Sequence, residues 1–113
     1  MFITQEDFKV VASEAALKVI TQADDANADN AIQEAVEEIA GYLRPKYDCG
    51  KVFSAVGNDR NRQIVMYAAD IALYNMIAAQ PQRMGSDVRK ERYERAIKWL
   101  EGVAAGKIIP DLP

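Results

Sequence analysis

The acids and amides between residues 24 and 30 form the pattern in this chain that comes nearest to a metal site. Asp25, Asn27 and Asp29 copy the first three ligand positions of a calcium-binding loop. The pattern then fails, because the sixth position, which needs glycine for a sharp turn, holds Asn30. The twelfth position, which needs a bidentate glutamate, holds Val36. We therefore interpret this stretch as a solvated turn that caps a helix, and we predict no bound metal.

Asp70 is the second candidate for chemistry, since it is the next carboxylate after Asp59 and lies in a long apolar segment. As a catalytic acid it would need a second polar group, and its neighbours in the sequence supply none. A carboxylate that is buried without a partner is very costly. We therefore expect a structural role for Asp70. It either lies on a narrow polar strip of the helix or is partly buried in an ion pair with Arg44 or Arg92.

The residue types available argue against catalysis. The chain has no histidine, which is the commonest general base near neutral pH and the commonest metal ligand. Its single cysteine, Cys49, lies in a polar stretch, has no internal disulfide partner and suits a reducing cytoplasm. We predict that the protein is not an enzyme and that it needs no cofactor.

Basic and aromatic residues alternate in the last third of the chain, a pattern that can bind nucleic acid. The basic residues are Arg83, Arg89, Lys90, Arg92, Arg95 and Lys98. Acids lie between them: Glu91 precedes Arg95 by four residues, in the order that favours a salt bridge on a helix. Glu94 and Lys98 repeat that spacing. With a net charge of -3, the pattern predicts a solvated helix face and no specific nucleic-acid binding.

Two helices must position these residues. Residues 62–80 are apolar on almost every side, which predicts a helix at the centre of a bundle. In residues 88–105 apolar side chains recur every three or four positions between Arg and Glu, which predicts a helix with one apolar stripe. Gly106 supplies its left-handed cap. Residues 81–85 are predicted to link the two helices, with Ser86 as the cap of the second.

The first half of the chain predicts two further helices. Thr4 and Asp7 form a capping box for the first, over residues 5–12, with Phe8 and Val11 as its apolar edge. Residues 13–21 continue this helix, form a separate one or bend, and the pattern leaves all three open. Asp29 or Asn30 is predicted to cap the next helix, which stops before Pro45.

Residues 48–61 are predicted to form a loop between the second and third helices. Val52 and Phe53 are its expected anchor in the core, and residues 57–59 its turn and the cap of the third helix. The chain as a whole is predicted to be all-α: one small bundle of about four helices over residues 1–106, followed by an extended tail over residues 107–113. No apolar run is long enough to span a membrane, and no secretion signal is expected.

The tail carries three apolar side chains, Ile108, Ile109 and Leu112, between prolines that prevent helix formation. Side chains of this kind either fold back on their own domain or dock on a partner. The sequence alone leaves both outcomes open.

Taken together, these residues resemble the Mu-like prophage head-tail connector proteins, a small all-helical phage family. In the second half of the chain the matching positions are Tyr67 to Tyr74, Arg92-Tyr93, Ala96, Trp99-Leu100 and Val103 to Ile108. In the first half they are Phe2 to Phe8 and Ile32 to Tyr47. These are helix-packing residues and include no chemical signature. Two stretches depart from the family pattern: residues 13–28 are longer, and residues 48–51 lack prolines.

The resemblance implies a structural adaptor that stacks between the portal protein and the tail or neck proteins, as a homo-oligomeric ring. We expect such a protein to be made in the host cytoplasm, to remain monomeric until it meets the portal, and to end in the virion neck. The residues Ile108, Ile109 and Leu112 are then its candidate partner-binding tail. Two other hypotheses stay open: a bacterial helical interaction module without a virion role, and a small nucleic-acid-binding regulator.

Overall fold

The computed structural model describes residues 2–13, 17, 25–78 and 87–113. Within these ranges all regular structure is helical, which confirms the all-α prediction. A 3-10 helix, Gln5–Val10, comes first. It is followed by the α-helices α1 (Asp25–Leu43), α2 (Cys49–Ser54), α3 (Arg62–Ala78) and α4 (Asp87–Ala104), with a 3-10 turn, Gly57–Asp59, between α2 and α3. No helix in the described ranges is long and apolar enough to cross a membrane.

The central element is α3, as predicted from its apolar composition. It contacts α1, α4 and the N-terminal 3-10 helix, so it is covered on three sides. Ala68, Ala69 and Ala72 are fully buried, and these small side chains let the neighbouring helices approach closely. Larger side chains such as Ile71 and Leu73 fill the remaining space of the core. The predicted end of this helix, residues 79–80, lies outside the described residues.

The second predicted helix begins earlier than its sequence indicates. Asp29 and Asn30 lie inside α1 and do not cap it, so the predicted turn is wrong from residue 25 onward. The reason is Ala28, which is fully buried and extends the apolar stripe of Ile32 back by one turn. Successive side chains on a helix point in different directions. The acids of the calcium-like pattern therefore do not form a ligand loop.

The N-terminal element is a 3-10 helix where residues 5–12 were expected to be one helix. The predicted cap is present: the Thr4 backbone N–H donates to Asp7 Oδ2 at 2.9 Å. Phe8 and Val11 are buried, as expected for its apolar edge. Most of residues 13–21, for which three alternatives were left open, lie outside the described residues. The predicted linker at 81–85 and the predicted cap Ser86 lie outside them too.

The segment predicted as one loop, residues 48–61, contains α2 and the 3-10 turn. Asp48 caps α2, because its Oδ1 accepts a hydrogen bond from the Lys51 backbone N–H at 3.2 Å. The predicted anchor is confirmed: Val52 is buried, and the Phe53 ring packs edge-on against Phe2 with centroids 5.1 Å apart. The prediction of a loop is wrong here. A short helix capped by Asp48 forms instead, and it places Val52 and Phe53 against the core.

The cap of α3 is Asn61, two residues after the position that was expected. Its Oδ1 accepts from the backbone N–H groups of Gln63 and Ile64 at 3.0 and 3.1 Å. At the other end of the bundle, Gly106 ends α4 with a φ of 77°, as predicted. The N–H groups of Lys107 and Ile108 donate to the Gly102 carbonyl at 2.9 and 3.1 Å, and this Schellman motif ends the helix and turns the tail back toward Gly102.

Candidate interaction surfaces and the contacts that position them

A buried ion pair joins α3 to α4. Arg92 Nε donates to Asp70 Oδ1 at 2.6 Å, and the Asp70 side chain is only 2% exposed. Burial raises the pKa of the Asp70 carboxyl above its ordinary value, and the bond from Arg92 opposes that rise. The structure thus brings together Asp70 and one of its two expected partners.

The other expected partner, Arg44, does not reach Asp70. Its Nη2 pairs with Glu37 Oε1 at 2.6 Å on the surface, where both side chains are more than half exposed. Arg44 directly follows α1, so an acid on the preceding turns of that helix is the nearer partner. The expectation of an Arg44–Asp70 pair is therefore wrong.

Arg89 of α4 is a buried cation, with 8% of its surface exposed. Its Nη2 donates to the Val11 carbonyl at 2.8 Å and so ties α4 to the end of the N-terminal 3-10 helix. Burial lowers the pKa of Arg89, and the nearby charge of Asp70 acts in the opposite direction. Arg89 is thus buried, although the basic pattern predicted a solvated face, and Arg92 is partly buried, as expected for a partner of Asp70.

The remaining basic residues of α4 do lie on the surface. Lys90, Arg95 and Lys98 are exposed, while Arg83 falls outside the described residues. The two predicted pairs, Glu91 with Arg95 and Glu94 with Lys98, are not formed among the ion pairs of the described chain. Exposed pairs of this type contribute little energy, so long side chains have little reason to stay in contact.

The aromatic residues near the basic surface of α4 pack against other rings of the protein. Tyr93 stacks on Tyr74 with ring centroids 4.1 Å apart, and burial raises the pKa of its hydroxyl. Trp99 is 8% exposed and packs against Tyr67 at 5.0 Å. Neither ring therefore offers an open face on which a nucleotide base would stack.

A second internal ion pair was not predicted from the sequence. Arg60, just after the 3-10 turn, pairs with Asp7 through its Nη1 at 2.8 Å and its Nη2 at 3.2 Å. The same guanidinium donates to the carbonyls of Phe2 and Gly57, each at 2.9 Å. Burial acts to raise the pKa of Asp7, but the bonds from Arg60 and Thr4 outweigh it and lower that pKa below its ordinary value.

Cys49 is the first residue of α2 and is partly buried. Its Sγ donates to the Ala40 carbonyl at 3.8 Å, and burial raises the pKa of the thiol. A raised pKa leaves less of the reactive thiolate at neutral pH. Among the described residues, no three or more His, Cys, Asp or Glu side chains lie close enough together to hold a metal ion.

The C-terminal tail divides its three apolar side chains between two environments. Ile108 and Leu112 are partly buried against the core, and Asn61 Nδ2 donates to the Asp111 carbonyl at 3.3 Å. Ile109 is 84% exposed. The tail therefore folds back on its own domain at two positions and leaves one large apolar side chain in solvent.

A groove of about 650 Å³ lies between α4 and this tail, and we call it the tail groove. Its lining residues are Tyr67, Arg95, Lys98, Trp99, Glu101, Gly102, Ala105, Lys107 and Ile108. The close approach of the tail depends on Gly102, because a Cβ at that position would lie 2.6 Å from Ile108 Cδ1. The groove was not predicted, since its two walls come together only when the tail folds back.

Comparison with protein families gives one match of nearly full length. The family model described as Bacteriophage Mu, Gp36 matches residues 2–113. Comparison with curated proteins and with solved structures finds no match. The family match covers the helices, the two internal ion pairs, the tail and the tail groove.

Proposed function

The chain belongs to the Bacteriophage Mu Gp36 family and is thus a Mu-like phage protein, and we propose that it is a structural head-tail connector. In this proposal it forms a homo-oligomeric ring in the virion neck, between the portal protein and the tail or neck proteins. It needs no cofactor and catalyses no reaction. The family match supports a phage role in structure or assembly over the hypothesis of a bacterial module without a virion role.

The observation that best supports the proposal is the way the tail presents Ile109. The neighbouring side chains Ile108 and Leu112 are anchored on the core, so the backbone between them is held in place. Ile109 is then fixed in an exposed position, and docking it costs less ordering entropy than docking a free tail would. Burial of one such side chain contributes about 1.5 to 3 kcal/mol.

A contact of this size is too weak to hold two free subunits together. On a portal ring every copy makes the same contact, and the closed ring makes binding multivalent. The proposed protein is therefore monomeric in dilute solution and assembles on its template. This behaviour suits a component that is made in the host cytoplasm before the neck forms.

The test is co-sedimentation of the purified full chain with portal particles. We expect wild-type protein to sediment with the portal, and the Ile109→Asp variant to remain in the supernatant. Val88→Asp is the matched control, because Val88 is 58% exposed on α4 and an acid near a helix N-terminus is favourable. Circular dichroism checks that both variants keep their helices.

Two results would contradict the proposal. If wild-type protein never joins portal particles, the connector role is wrong, and the bacterial interaction module becomes the better hypothesis. If Ile109→Asp and Val88→Asp bind as well as wild type, the ring does not depend on the tail, and the contact must lie elsewhere on the surface.

A further inference from the structure

The tail groove has a strongly one-sided charge. Three cationic side chains line it, namely Arg95, Lys98 and Lys107, against a single carboxylate, Glu101, among the described lining residues. Trp99 and Ile108 supply an apolar floor. A concave surface that combines several cations with apolar contact area fits an acidic segment of a protein.

The groove cations are not held in contacts within their own chain, although the charge of Arg95 acts to lower the pKa of Asp70. Among the described residues, Arg95, Lys98 and Lys107 take part in no ion pair and no side-chain hydrogen bond. All three are exposed to solvent. Their charges are therefore available to a partner at little desolvation cost.

The opposite charge is concentrated on α1 of the same chain. This helix has five acids and no lysine or arginine in its nineteen residues. Asp29, Glu34 and Glu37 are exposed, and at 3.6 residues per turn they fall within an arc of about 140°, so they share one half of the helix surface. From Asp29 to Glu37 this acidic side spans about 12 Å at 1.5 Å per residue. We call these three residues the acidic face of α1.

The two surfaces also agree in length. Along α4 the groove extends from Arg95 to Gly102, about 10 Å at the same rise per residue, and Lys107 continues it beyond the helix end. Glu37 is partly neutralised by Arg44, so Asp29 and Glu34 are the stronger ligands for the groove.

We propose that the tail groove of one copy receives the acidic face of α1 from a second copy. This inference rests on the proposed ring and names the contact between its subunits. Two different surfaces meet in such a contact, so it is heterologous, and repetition of a heterologous contact closes a ring when the rotation permits. The charges are exposed and screened by salt, so the contact is weak between free subunits.

A charge-exchange experiment tests this contact with the full chain. The groove variant carries Lys98→Glu and Lys107→Glu, and the face variant carries Asp29→Lys and Glu34→Lys. All four positions are exposed, so both variants should fold, as circular dichroism would verify. Lys90→Glu is the matched control, since Lys90 is an exposed cation of α4 outside the groove.

Self-association is measured by sedimentation equilibrium at high protein concentration and low salt. We expect wild type and Lys90→Glu to associate, and each charge variant alone to associate more than about tenfold more weakly, because like charges then face each other. An equal mixture of the two variants should associate like wild type, since each groove then meets a face of opposite charge. About 0.5 M salt should abolish the association of wild type.

Three results would overturn the inference. These are a wild-type chain that stays monomeric at every concentration, a groove variant that associates like wild type, and a mixture that fails to restore association. In the last case the groove binds a different partner. Co-sedimentation with portal particles separates this outcome from the proposed function: wild type that joins the portal despite such a failure keeps the connector role and loses only this interface.

Discussion

The two internal ion pairs in the described part of the chain behave oppositely, although each joins an Asp to an Arg from another element. Asp7 and Arg60 are 16% and 19% exposed, and the guanidinium makes four hydrogen bonds. Asp70 is 2% exposed and receives one bond from Arg92. The pKa of Asp7 is lowered, while burial raises that of Asp70. The balance between lost water and gained hydrogen bonds thus decides whether an internal pair favours the charged carboxylate.

The two pairs also differ in what they hold together. The Asp7–Arg60 pair closes the N-terminal segment onto the turn before α3 and retains contact with water. The Asp70–Arg92 pair joins α3, the central helix of the core, to α4, which forms one wall of the tail groove. We call Asp70–Arg92 the deep pair and Asp7–Arg60 the shallow pair. Removing one partner of the deep pair should cost more stability than removing one partner of the shallow pair, and replacing both partners of the deep pair with apolar residues should cost less than removing one.

The largest effect is expected from removing the cation of the deep pair. Arg92→Ala leaves Asp70 buried without its partner, and should reduce the free energy of unfolding by about 3 to 5 kcal/mol. Urea denaturation followed by circular dichroism measures this loss. The matched control is the double variant Asp70→Leu with Arg92→Met, which removes both charges and keeps the volume apolar.

We expect the double variant to be clearly more stable than Arg92→Ala, because no unpaired charge remains in the core. If the two variants are equally unstable, the charges are not the cause, and the packing of the Arg92 stem explains the loss.

A smaller effect is expected at the shallow pair. Arg60→Ala removes hydrogen bonds to a charged group but leaves Asp7 in contact with water, so the loss should be about 1.5 to 3 kcal/mol. Arg62→Ala, an exposed neighbour at the start of α3, should change stability by less than about 0.5 kcal/mol. If Arg60→Ala and Arg62→Ala lose the same free energy of unfolding, the bonds from Arg60 to the N-terminal segment contribute nothing to stability.

The smallest effect is the pH dependence, and its sign should differ between the pairs. Because the pKa of Asp7 is lowered below its ordinary 3.8, its contribution is present above pH 3.8 and is lost as the pH falls further. Because the pKa of Asp70 is raised above 3.8, its charged form costs stability at higher pH, and that cost disappears as the pH falls toward 3.8.

Urea denaturation of wild type, Asp7→Asn and Asp70→Asn at several pH values measures the pH dependence that each carboxyl contributes to stability. Relative to Asp7→Asn, wild type should lose stability below pH 3.8. Relative to Asp70→Asn, it should gain stability as the pH is lowered toward 3.8. If stability relative to the Asn variant changes with pH in the same direction at both positions, the difference in burial does not distinguish the two pairs.

The deep pair could be predicted in part, because the sequence named Arg92 as one of two candidate partners of Asp70, whereas the shallow pair could not be predicted. Asp70 stands alone in an apolar helix, so burial requires a partner, and the amphipathic pattern of α4 offers few arginines. Arg60 lies in a polar turn 53 residues from Asp7, and no periodicity links the two. Its role depends on the path of the N-terminal segment, which only tertiary packing determines.

The same distinction explains which elements were found. The periodic patterns of α3 and α4 predicted both helices within one residue at every end that the structure describes. The start of α1 was missed because its stripe begins with Ala28, a small residue surrounded by acids and amides that favour turns. The short α2 was missed because six residues with a glycine show no helical period. The tail groove depends on contacts between distant residues and had no local signal.

The connector role is the central claim, and removal of the gene from the phage tests it most directly. Electron microscopy of the particles produced without this protein should show DNA-containing heads and separate tails that do not join. Supplying the wild-type chain should restore tailed particles, and supplying Ile109→Asp should not. Normal tailed particles in the absence of the protein would contradict the account.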